Sequence, residues 1–316
     1  MIRLYLNRCL GQPPASRPWC YRLAGEHLLS DARIGLLEPL RLRQAMHALP
    51  LGAAHSASAA LDGSGRRMRG WLAGAMREVT CAMVGAGYLL AIPGVGRFSL
   101  TATGDQLVCQ PSSGAVSGAL IEESLLGPPL VLSLALRGTW CLHASAVETA
   151  VGAVLMIGRS GDGKSTLARH LGERAGMRRI ADDILPCALG NGAACALPLF
   201  PQLKLAAHEQ CALAGRIELP IAALVVLHPR RDGSGGVSVE PMPRLTALKR
   251  LAEETVALGL FDDALRGDHL QFLSRLLADV PVFALTYPHA IDRLPEVCAA
   301  VVGMPRLGDD PRVSRG

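Results

Sequence analysis

The stretch AVLMIGRSGDGKSTLARHLGE at residues 153–173 constrains this chain more than any other. An apolar run that suits a buried strand leads into a loop, Gly158 to Ser165, that fits GxxxxGK[ST], and a stretch suited to a helix follows at once. Such a unit needs a sheet for its strand and a packing face for its helix, so the chain must contain an α/β layer. The glycines let the main chain wrap closely around a polyphosphate with its N–H groups pointing inward, and the helix N-terminus favours negative charge. Gly158, Ser160, Gly161, Asp162, Gly163, Lys164, Ser165 and Thr166 are therefore the candidate nucleotide-binding residues. Lys164 is expected to reach the β- and γ-phosphates, and Ser165 to ligate Mg²⁺. A glycine-rich turn that binds nothing is the competing reading; strand, complete motif and helix in series weigh against it.

The loop alone does not choose between hydrolysis and transfer. RRIADDILP places Asp182 and Asp183 one short helix beyond Lys164, at the expected end of the next strand. If that strand runs parallel to the first, both carboxylates face the γ-phosphate. One then holds Mg²⁺ while the other accepts a proton from an attacking hydroxyl, the division of labour that phosphoryl transfer requires. Upstream, WCLHASAVETAVGAVLMIG reads as a hairpin turning at TAVG, and a symmetric register sets His143 opposite Gly158, beside the phosphates. A turn-forming aspartate pair and a hydrogen-bonded strand histidine are the plain alternatives. His143, Lys164, Asp182 and Asp183 are the candidate catalytic residues, with Ser165 and one of the two aspartates as candidate metal ligands.

Elsewhere the sequence mostly excludes. Half of its 316 residues are apolar, enough for a sizeable core. The net charge of +5, from 32 basic and 27 acidic residues, forms no aromatic-studded basic stripe, so nucleic acid is not an expected partner. Nine cysteines without a CxxC pair read as reduced and buried. Arg3 and Arg8 interrupt the only apolar stretch at the N-terminus, and PPLVLSLALRG is far shorter than the ~20 residues of a membrane span. A cytoplasmic protein with no membrane attachment is the expectation.

Texture divides the chain. Residues 49–70, rich in Gly, Ala and Ser, read as a flexible loop. EVTCAMV, YLLAI, RFSLTAT and QLVCQ, separated by GAG, PGVG and TGD, read as a small antiparallel sheet, followed by two helical segments. From Thr139 on, the order of elements is that of an α/β domain. A helical stretch spans roughly 243–278, VPVFALTYP reads as a last strand, and the end frays. The expected division is a smaller β-rich α+β domain at 1–135, a P-loop domain at 136–303 and a tail at 304–316.

LHASAVE, GRSGDGKSTLA and ADD, in that order and spacing, resemble the bacterial HPr kinase/phosphorylase superfamily over roughly residues 138–300. YRLAGEHLLSD, GRFSLTATGDQLV, LFPQLKL and VPVFALTYPHAIDRLPEV resemble its HPr-kinase-related branch, which includes the lasso peptide kinases. The resemblance implies an HPr-kinase-like (PEP-carboxykinase-like) P-loop fold, ATP and Mg²⁺, and transfer to a serine near the C-terminus of a precursor peptide. It implies that one aspartate is the base and the other the metal partner, with Asp182 favoured as base and Asp183 as metal partner but their order open, and that His143 lies near the transferred phosphate. Thr166 stands where HPr kinases carry an acid, and their signature EIRGLGIINV is absent, which points away from HPr as acceptor. Lys204, Arg216, Arg230 and Arg231 are candidates for an additional phosphate contact. A kinase of free serine or another small hydroxyl compound, a nucleotide-binding regulator that transfers nothing, and assembly as a homo-oligomer all stay open.

Overall fold

The computed structural model describes residues 1–6, 18–42, 65–72, 74–113, 115–174, 176–190, 192–202, 204–205, 209–210, 213 and 217–304. The chain is a mixed α/β protein with two sheets and two compact units, Met1–Trp140 with Ala257–His269, and Cys141–Val256 with Leu270 onward. It thus returns to the first unit at Ala257–His269, a crossing that a division at 135/136 does not contain.

The first unit carries an eight-stranded sheet in the order β2-β3-β1-β8-β7-β6-β5-β4. Its strands are β1 (Ile2–Tyr5), β2 (Trp19–Leu23), β3 (Glu26–Ser30), β4 (Arg66–Leu72), β5 (Ala75–Val84), β6 (Gly87–Ile92), β7 (Gly96–Thr101) and β8 (Gln106–Pro111). β5 to β8 form the antiparallel meander that the turn signals predict, and Gly85, Gly94 and Gly104 take positive φ at its turns. The sheet is larger and less uniform than expected, because β1 runs parallel to both β3 and β8.

The expected loop at 49–70 needs correction. Residues 49–64 lie outside the described residues, but Arg66–Leu72 is a strand paired with β5 in the register Arg69↔Glu78. Its alternation is real, with Arg67, Arg69 and Trp71 exposed between half-buried neighbours, but arginines hide it from a composition reading.

Helices α1 (Gly118–Leu126) and α2 (Pro128–Ala135) follow. Ser117 caps α1 by accepting from the Leu120 N–H, and Pro128 opens α2 where a missing N–H costs nothing. Taken together, Gly118–Ala135 is as long and apolar as a membrane-crossing helix, with 61% of it buried within the protein.

The second unit holds β9 (Trp140–Thr149, entering from the first unit), β10 (Gly152–Ile157), β11 (Arg178–Gly190), β12 (Ala193–Ala196), β13 (Leu219–Arg230), β14 (Ser238–Pro241) and β15 (Val282–Pro288), in the order β10-β9-β11-β12-β13-β15-β14. β10 also pairs with β13 in parallel, so the path from β10 through β9, β11 and β12 to β13 closes on itself. Every residue of β10 is buried, as its unbroken apolar run requires of a strand covered on both faces.

Helix α3 (Lys164–Gly172) presents Leu167, Ala168 and Leu171, and α6 (Leu294–Val302) presents Val297, Cys298 and Val301, to one core with Val154, Met156, Val225, Leu227 and Leu285 of the sheet. This packing fixes the axis of α3, and with it the aim of its N-terminus. The expected helix at 243–278 is two, α4 (Arg244–Glu253) and α5 (Asp263–Asp279), with a 3₁₀ turn at Leu258–Leu260 between them. Ala257, at φ 62°, breaks the helical path there.

Candidate active site

The loop between β10 and α3 is held open from within. Gly163 is the N-cap of α3 at φ 91° and ψ 10°, and no side chain caps that end. A Cβ on Gly163 would lie 3.2 Å from the Tyr287 hydroxyl, and the left-handed backbone would strain it further. Tyr287, at the end of β15, donates to the Asp162 carbonyl. Asp162 accepts from the Arg159 N–H at 2.7 Å and pairs with Arg231 at 3.1 Å. Its carboxylate therefore braces the loop from inside, and the exposed Ser160 and Gly161 form the outer rim.

Lys164 is 6% exposed, and its ammonium donates to the Gly158 carbonyl and, at 3.1 Å, to that of Arg159. Burial pulls its pKa below the ordinary lysine value, partly offset by Glu254, Asp162 and Asp183. Ser165 is half-buried and Thr166 exposed at the start of α3.

β9 brings the second group. Its register with β10 ends at Ala144↔Ile157, so one further step would set His143 against Gly158, the register anticipated from the sequence. His143 Nε2 lies 3.3 Å from Asp183 Oδ1, and Nδ1 lies 3.3 Å from Glu254 Oε2. The His143 N–H also donates to the Glu254 carbonyl at 2.7 Å, which fixes the ring's place at the foot of α4. Lys204 Nζ reaches the same Asp183 Oδ1 at 2.9 Å. The bond to Asp183, and then that to Glu254, raises the His143 pKa above 6.5 against the opposing effect of burial. Burial pushes the Asp183 carboxyl up, but His143 and Lys204 together hold it below its ordinary value.

The two aspartates part company. They sit inside the thirteen-residue strand β11, not at its end. Asp182 is 2% exposed; Ser145 donates to its Oδ1 at 2.9 Å and Arg179 to its Oδ2 at 3.2 Å. Its N–H donates to Gln202 Oε1, and Gln202 Nε2 donates to the Ile184 carbonyl, clamping the strand around Asp183. Arg179 makes a second, bidentate pair with Glu209 at 2.9 and 2.6 Å. Asp182, expected as the base, is thus enclosed, with both carboxylate oxygens already engaged.

Neighbours in a strand normally face opposite ways. Here Asp182 meets Ser145 and Asp183 meets His143, which lie two apart on β9 and so share a face. Asp183 has φ 148°, rare for any residue but glycine, and this turn of the backbone brings both carboxylates to one side.

The structure therefore gathers His143, Asp183, Lys204 and Glu254, with Lys164 near enough to interact with all four. Sequence reasoning missed Glu254, which follows α4 without a motif, and the brace from Tyr287, whose place at the end of a β-strand was its only signal. Arg230 donates to the Gly236 carbonyl at 3.1 Å, while Arg216 lies outside the described residues. Among the described residues no cluster of three or more His, Cys, Asp or Glu is arranged to hold a metal, and the seven cysteines are free and buried.

No family model matches the chain, and no curated protein matches it. Among solved structures, the HPr(Ser) kinase/phosphatase from Coxiella burnetii matches at 14% identity, covering 51% of this chain and 93% of that one, with a TM-score of 0.28. A superposition that loose assigns neither fold nor function.

Proposed function

We propose that the chain is an ATP- and Mg²⁺-dependent kinase that transfers a phosphoryl group to a serine hydroxyl, on a ribosomally made precursor peptide of the lasso type. The observation that carries this reading is the pairing of an uncapped, glycine-built loop at the head of α3 with the cluster of His143, Asp183 and Glu254 within electrostatic reach of Lys164. The resemblance of LHASAVE, GRSGDGKSTLA and ADD to the HPr kinase/phosphorylase superfamily supports it, and the lasso-type acceptor rests on the weaker outer motifs.

The residues fit the substrates. A buried ammonium that now satisfies itself on Gly158 and Arg159 would exchange those carbonyls for phosphate oxygens, which make stronger charge-assisted bonds. Ser165 is the residue that would hold Mg²⁺, which keeps most of its ligands as water and phosphate and so needs no dense protein cluster. When bound, the ion neutralises charge that develops on the phosphate oxygens.

Asp183 takes the role of base, because its carboxylate reaches the open side of the strand whereas that of Asp182 is enclosed. It accepts the acceptor hydroxyl's proton. In a loose phosphoryl-transfer transition state this transfer comes late, so a carboxylate of low pKa serves. Glu254 orients the His143 ring through Nδ1, which aims Nε2 at Asp183 beside the transferred group.

Mass spectrometry of the full chain with ATP, Mg²⁺ and precursor peptides ending in serine tests this, with free serine and an HPr protein as competitors. A gain of one phosphate on a peptide serine, lost in Lys164→Ala, is the predicted result. Phosphorylation of free serine alone would move the acceptor to a small molecule. ATP binding with no acceptor modified would overturn the kinase reading.

A further inference from the structure

A cavity of about 250 Å³ opens beside the head of α3. Thr166 and Leu167 form one wall, and Tyr287, Ala290, Ile291 and Leu294 the other. We propose that this cavity seats the nucleobase of the phosphate donor, an inference that rests on the nucleotide reading above and assigns the part of the donor that reading leaves unplaced.

Three observations carry it. The first is position. Loop and helix N–H groups of a GxxxxGK[ST] unit hold the phosphate chain, whose terminal end is assigned here to Lys164 and Asp183. The other end, which bears the nucleoside, then leaves past Gly163 and Thr166, and both line this cavity.

The second is chemistry. Most of the lining is aliphatic or aromatic, with Thr166, Tyr287 and His289 the polar exceptions, which suits a flat ring system recognised by burial and stacking. Ile291, at the lip, is 75% exposed, an apolar side chain that would gain by covering a bound ring.

The third is rigidity. The Tyr287 hydroxyl is tied to the Asp162 carbonyl, so the aromatic wall and the phosphate loop are one piece. Leu294 belongs to α6, which shares its core with α3. The volume is small for a drug-sized ligand and appropriate to a single base with the ribose outside.

The test is calorimetric binding of ATP and of inorganic tripolyphosphate, each with Mg²⁺, to the full chain and two variants. Burial of one ring predicts ATP binding about thirty-fold tighter than tripolyphosphate. Ala290→Phe, which fills the cavity, should remove most of that preference and leave tripolyphosphate affinity unchanged. Ile291→Ala, at an exposed position that cannot compromise folding, should weaken ATP alone by a few-fold.

Equal affinity of the unmodified chain for ATP and tripolyphosphate would overturn the assignment while leaving the phosphate site intact. So would a full ATP preference in Ile291→Ala, whatever Ala290→Phe does. No binding of either ligand to the unmodified chain would instead overturn the nucleotide reading on which the assignment rests.

Discussion

Asp183 pays for its position with backbone strain. At φ 148° a Cβ is costly and glycine is not, so Asp183→Gly should be more stable than Asp183→Ala by about 1–3 kcal/mol, read from denaturant unfolding. Both should lack transfer activity. Asp183→Asn should fold normally with phosphoryl transfer reduced about a thousand-fold. Asp182→Asn should behave oppositely. It replaces a charge-assisted bond from Arg179 with a weaker one to a neutral amide in a site 2% exposed while Arg179 keeps its pair with Glu209, so stability should fall by about 1–2 kcal/mol with turnover per folded molecule largely kept. His143 provides a test through pH. Its raised folded pKa means that its contribution is complete below about pH 6.5, the unfolded value, and is lost as pH rises through the folded value above it. Stability relative to His143→Gln should therefore decline across that window, measured by unfolding at a series of pH values. The presence of two adjacent carboxylates was legible in ADD, but their separate fates were not. Which one is enclosed depends on Ser145, Arg179 and Gln202, contacts from three different stretches of chain.

At the scale of elements, α3 does most to define the site. Its apolar stripe of Leu167, Ala168 and Leu171 sets it against β10 and α6, and this contact holds the loop's exit angle. Leu171→Ala should cost about 2–5 kcal/mol through loss of buried contacts and the void left behind, measured by thermal or denaturant unfolding. The strand, loop and helix here were legible because local chemistry determines all three: an unbroken apolar run, glycines at positive φ and helix formers after them. The hairpin to β9 was legible for the same reason, its register fixed by a short turn. β4 and the break between α4 and α5 were not. In the first, arginine occupies exposed positions of a genuine alternation; in the second, Ala257 adopts a left-handed conformation that its identity does not announce.

At the scale of the molecule, the two sheets differ in how much of their order can be read from sequence. The β5–β8 meander pairs neighbours in the chain, so its order follows from the turns. The second sheet places β9 between β10 and β11 and returns β13 to β10, and such long-range pairings leave no local mark. The return of Ala257–His269 to the first unit is hidden for the same reason. What this topology achieves is convergence: the head of α3, the middle of β11 and the end of α4 bring Lys164, Asp183 and Glu254 into one electrostatic neighbourhood. The claim that this convergence serves a nucleotide is tested most directly by an isotherm for ATP with Mg²⁺ on the full chain and on Lys164→Ala. The account predicts one saturable site per chain, weakened about thirty-fold by the substitution through loss of a charge-assisted contact. Absence of saturable binding, or equal affinity in the two proteins, would contradict it.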